Sequence, residues 1–122
     1  MEQIQIKETL EQAGVDYDKG LERFMGNSAL YHKFLGKFLK DGSYGEFVAS
    51  LAMEDMAMAE KSVHTLKGTA GNLSLMKLFR AADDTVQAIR TNQSVEAIQK
   101  LADTVGEIYK ETCEAIRKSI SV

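Results

Sequence analysis

Apolar residues recur every three or four positions along nearly the whole chain, the period of helices that bury one face. The first such segment runs from about Glu2 to Gln12, with Ile6, Leu10 and Ala13 on one side and Ala13-Gly14 closing it. Asp16 and Asp18 stand where an N-cap is needed ahead of Leu21, Phe24 and Met25, and Gly26 stops that short element. Asn27 or Ser28 opens the next. There Leu30, Phe34 and Phe38, with Tyr31 and Leu35 beside them, form an apolar stripe that ends at Asp41-Gly42-Ser43. A further helical run covers Tyr44 to Met53.

From Met56 to about Ser74 the apolar positions are Ala59, Val63, Leu66, Ala70 and Leu73, a spacing that suits one face of a bundle helix. Leu78, Ala82, Val86 and Ile89 repeat that logic as far as Arg90. Thr91-Asn92-Gln93-Ser94 then reads as a turn, with Ser94 as the N-cap of a long last helix. Leu101, Val105, Ile108, Thr112, Ala115 and Ile120 carry that helix nearly to the C-terminus, and Arg117 and Lys118 suit the dipole at its end. The pattern predicts an all-α fold: an antiparallel four-helix bundle with short N-terminal helices packed against it, one domain over residues 1–122.

Composition narrows the function classes. Among 122 residues there is no proline and 7% aromatics, with 44% hydrophobic and 27% charged positions, which excludes intrinsic disorder and disfavours a sandwich or barrel. Fifteen Lys and Arg against eighteen Asp and Glu leave a net charge of -3, without the basic stripe of a nucleic-acid binder. The longest apolar run, Phe47 to Met53, is far below the ~20 residues of a membrane span. The N-terminus lacks the pattern of a signal peptide, and the lone Cys113 fits a reducing compartment, so the expected location is the cytoplasm, with neither nucleic acid nor membrane as partner.

One segment breaks its own local rules. His64-Thr65-Leu66-Lys67-Gly68-Thr69-Ala70-Gly71-Asn72-Leu73 lies inside a helical pattern yet holds two glycines, each costing up to about 1 kcal/mol relative to alanine. At roughly 100° per residue the buried stripe centres about 140° from His64, which turns the imidazole to solvent. Ala57, Gly68 and Gly71 fall within about 40° of it, so the histidine stands in a shallow clearing. Lys61 and Lys67, at i−3 and i+3, bring ammonium groups within reach of anything attached to the ring.

An accessible imidazole without bulky neighbours and flanked by cations suits attack on a phosphoryl group. The reaction needs a neutral ring nitrogen, in-line positioning and stabilisation of the anionic product, and a partner can supply the rest.

The string His64 to Leu73 resembles the signature of histidine-containing phosphotransfer (HPt) domains of two-component phosphorelays. Gly14-Val15-Asp16, Gly20-Leu21-Glu22-Arg23-Phe24 and the stretch from Tyr31 to Phe38 look like the region that precedes the histidine in that family. The resemblance spans roughly residues 13 to 90. It implies a four-helix bundle in which His64 is phosphorylated, Lys67 stabilises the phosphoryl group and Gly68 gives a receiver domain room to approach. It further implies a monomer that is a phosphocarrier and no enzyme by itself. Its partners would be a response-regulator receiver domain, which brings the Mg²⁺, and a hybrid sensor histidine kinase; the chain itself would need no cofactor and no metal. Lys61 and the bare surface at Gly71 would face the partner, with Lys77 and Arg80 as further cations. Two positions depart from the family: Ser74 replaces a glycine, and the Glu or Gln that holds the second imidazole nitrogen corresponds to Val86, with Gln87 one residue away.

Other residues read as ordinary. His32, without glycine clearance, is a solvated helix residue, and Lys67-Gly68-Thr69 lacks the upstream glycine and strand of a phosphate-binding loop. Asp83-Asp84 and Glu54-Asp55 read as solvated faces, since adjacent helical residues diverge. Cys113 reads as a small core residue. Met53, Met56 and Met58 read as core filler or an adaptable docking surface. The competing classes are a helical interaction module without phosphoryl chemistry and, less favoured, a small enzyme using His64 as a general base.

Overall fold

The computed structural model describes residues 1–120, and its regular structure is entirely helical. Seven helices follow one another: α1 (Gln3–Gln12), α2 (Tyr17–Arg23), α3 (Ser28–Phe38), α4 (Ser43–Ala52), α5 (Met56–Asn72), α6 (Met76–Arg90) and α7 (Val95–Ser119). Four of them start on side-chain caps. Asp16, Asn27, Asp55 and Ser94 each accept a hydrogen bond from the backbone N–H three residues on, meeting one of the donors a helix start leaves free.

The ends share one device. After α1, α2, α4, α5 and α6 the chain enters the left-handed region, at Gly14, at Met25 with Gly26, and at Glu54, Ser74 and Asn92. The next N–H then reaches back to the last turn, as in Val15 to Leu10 O at 3.1 Å, Asp55 to Ser50 O at 2.9 Å and Leu75 to Ala70 O at 2.8 Å. Each reversal therefore takes three or four residues, and successive helices are forced side by side.

Packing follows from that. α4 lies on α5, α5 on α6 and α6 on α7, while α1 returns to pack on α7. Leu10, Tyr31, Leu35, Leu66, Leu75, Val105 and Ile116 are buried in one cluster, and Phe47, Ala59, Val63, Ala82 and Val86 in a second. Every apolar position anticipated on α5 and α6 is buried. α3 departs from expectation. Tyr31, Leu35 and Phe38 form its buried face, whereas Leu30 and Phe34 remain 38% and 39% exposed, because the stripe is wider than the surface α3 covers. Phe34 stacks on Phe24 instead, with ring centres 5.5 Å apart. No helix among the described residues is long and apolar enough to cross a membrane.

Candidate functional site

α5 buries Ala59, Val63, Leu66 and Ala70, and that choice alone sends His64 to the opposite, exposed side. Ala57 and Gly68, on the same side, are exposed as well. A side-chain carbon built on Gly68 would meet nothing within 4 Å, so the space beside the imidazole is open. The clearing anticipated from the helical wheel is present at Gly68. None of the side-chain hydrogen bonds among the described residues engages His64.

The flanking lysines diverge. Lys61 is exposed and lines a groove between α4 and α5 with Glu46, Met58 and Thr65. Lys67 turns the other way, toward α6: its Nζ lies 2.8 Å from Asp83 Oδ1 and 5.7 Å from the centre of the Phe79 ring. Gly71 also belongs to this seam. A side-chain carbon there would come to 3.1 Å from Phe79 Cδ1, so this glycine makes room for a ring of its own chain. Arg90 Nε to Glu60 Oε2, at 3.2 Å, closes the far end. The pairs Gly71–Phe79, Lys67–Asp83 and Glu60–Arg90 lie at equal sequence distances on either side of Leu75, so α5 and α6 run antiparallel about that residue.

The same relation places Val86 across from His64, and its side chain is fully buried in the second cluster. Gln87 is exposed, but its Nε2 donates to Asp83 Oδ1 at 3.4 Å. Neither residue holds the second imidazole nitrogen. Asp83 thus has a task that its reading as a solvated face missed: the Lys67 ammonium, and secondarily the Gln87 amide, hydrogen-bond it and hold its carboxyl below the usual carboxylate range. The pairing joins residues sixteen apart and shows in the sequence only once the turn centre is fixed. Asp55, likewise, is an N-cap and no idle surface charge.

Two further expectations change. Lys77 faces α1 and α7, its backbone N–H bonded to Gly14 O at 3.1 Å and its Nζ 3.7 Å from Glu111, and this ties it to the side of α6 away from Lys67. His32 is half-buried, with Nε2 2.6 Å from Tyr17 Oη, and burial pushes its proton affinity down. Without a proton, Nε2 accepts from the tyrosine hydroxyl. Cys113 is buried, and burial pushes its thiol up. Among the described residues no three His, Cys, Asp or Glu side chains converge on one point where a metal ion could sit.

Chemically, the arrangement offers an exposed imidazole, open backbone one turn away, and an ammonium paired with a carboxylate. No protein-family model, curated protein or solved structure matches this chain.

Proposed function

We propose that the chain is a histidine phosphotransfer protein, carrying a phosphoryl group on His64 between receiver-domain aspartates. The observation that carries this reading is the exposed imidazole on α5 beside the vacant space at Gly68. A receiver's aspartyl phosphate lies in a shallow acidic pocket, and an acceptor that must enter it in line needs a projecting ring with no side chain at its shoulder. The ring nitrogen attacks phosphorus and the P–O bond to the aspartate breaks. The carboxylate leaves, and the proton on the other ring nitrogen is lost to solvent. The receiver supplies the Mg²⁺ that this step requires, which makes the chain a carrier and no enzyme alone.

The scaffold is read as an antiparallel four-helix bundle of α4 to α7, with α1, α2 and α3 packed against one end. Each bundle helix lies on the next, and the turns between them are short. Lys61 and Lys67 carry positive charge to either side of the ring, complementary to an acidic partner.

The test is exposure of the chain to receiver domains charged with acetyl phosphate. The reading predicts an acid-labile, base-stable label on the chain that is lost in His64→Gln. Retention of the label by that variant rejects it and leaves the helical interaction module as the better account.

A further inference from the structure

We propose that Asp83 competes with the phosphoryl group on His64 for the Lys67 ammonium, so that the Lys67–Asp83 pair sets how firmly the phosphoryl group is held; this rests on His64 being the phosphoacceptor. Lys67 follows His64 by three residues on α5, the spacing at which helical side chains meet. Its amine nevertheless points along the seam to α6, 2.8 Å from Asp83, with the Phe79 ring beneath it in the room left by Gly71. Seam and ring are therefore alternative destinations for one flexible side chain.

The balance favours exchange. The Lys67 and Asp83 side chains are 23% and 36% exposed, and an ion pair so open to water is held weakly. A phosphoryl group brings close to two negative charges and three acceptor oxygens, against one charge on the carboxylate. Gln87 Nε2, already on Asp83 Oδ1 at 3.4 Å, stays as a donor to the carboxylate once the lysine leaves. Coupling of this kind is reciprocal: whatever Asp83 takes from the phosphoryl group, the phosphoryl group takes from Asp83. A carrier that must give its cargo up is served by a carboxylate that keeps the cation from gripping too tightly.

The experiment uses the full chain and phosphoramidate, which phosphorylates accessible imidazole without any partner. The ring nitrogen attacks phosphorus, the P–N bond of the reagent breaks, ammonia leaves, and the proton on the other ring nitrogen passes to solvent. The second ionisation of the phosphoryl group on His64 is then followed by ³¹P NMR against pH, with His64→Gln identifying the resonance. Freeing Lys67 by Asp83→Asn should lower the midpoint by about 0.3 to 0.5 pH unit, a two- to threefold loss of proton affinity. Asp83→Ser should shift it in the same direction and Asp83→Glu should restore the wild-type value. In the Lys67→Ala background, Asp83→Asn should move the midpoint by less than half as much. An unchanged midpoint in Asp83→Asn, or a shift at least half as large without the lysine, overturns the competition while leaving His64 as the acceptor. Absence of a His64 resonance from the wild-type chain overturns the phosphoacceptor reading itself, and this inference with it.

Discussion

The Phe79 ring occupies the space that Gly71 leaves by having no side chain, whereas the equally bare Gly68, one turn earlier, faces open solvent. Two glycines of one helix thus serve different ends, and substitution should separate them. Gly68→Ala adds helix propensity at no steric cost and should stabilise the fold by up to about 1 kcal/mol. Gly71→Ala gains the same propensity but pushes on the ring, so urea denaturation should place it clearly below Gly68→Ala; equal stabilities would remove the packing role of Gly71. Gly68→Gln should leave helicity by circular dichroism intact yet slow phosphoryl transfer at least several-fold. An unchanged rate would discredit the clearance argument.

Ser74 ends α5 at φ 58° with its hydroxyl buried and unpartnered. The two closing hydrogen bonds still form around it, Ser74 N–H to Gly71 O and Leu75 N–H to Ala70 O, so the serine adopts the geometry a glycine adopts with less strain. Ser74→Gly should therefore stabilise the chain by about 1 kcal/mol in chemical denaturation. A destabilised variant would mean that the hydroxyl is satisfied after all.

Tyr31 holds the same corner from α3. Its hydroxyl donates to Leu73 O at 2.8 Å, and its ring fills the space above Gly20. Tyr31→Phe leaves a helix-end carbonyl buried and should cost about 1 to 2 kcal/mol. Gly20→Ala drives a side chain into the ring and should cost about 1 to 3 kcal/mol. The two changes share a partner, so a double-mutant cycle should depart from additivity.

His32 makes stability depend on pH. Burial keeps its ring neutral below the ordinary histidine value of about 6.5, while in the unfolded chain it protonates there. The unfolded state then binds more protons, so His32's contribution is complete above about pH 6.5 and declines as pH falls through that value toward the folded one. Stability measured from pH 7.5 down to 5 should fall more steeply in the wild type than in His32→Gln. Parallel curves would show that burial of the His32 ring exerts no such effect.

Helical order and most buried faces were legible because each rests on local rules: spacing for Val63 and Leu66, capping chemistry for Asp16, Asn27 and Ser94, the dipole for Arg117 and Lys118. The exposure of His64 was legible for the same reason, since it follows from which residues of its own helix are apolar. What failed depended on other elements. Leu30 and Phe34 look like core in their own helix, and only the limited surface that α3 covers leaves them out. His32 is drawn in by Tyr17 of α2. The diversion of Lys67 to Asp83 needs the centre of the α5–α6 turn, which Ser74 obscures by standing in a conformation usually signalled by glycine.

The central claim is that His64 both receives a phosphoryl group and gives it back. Its most direct test isolates the phosphorylated chain, adds the uncharged receiver domain that phosphorylated it together with Mg²⁺, and follows the phosphoryl group with time. The account predicts that the label leaves His64 and appears on the receiver's aspartate faster than the phosphorylated chain hydrolyses alone. Release as inorganic phosphate at one rate, with or without the receiver, would contradict it.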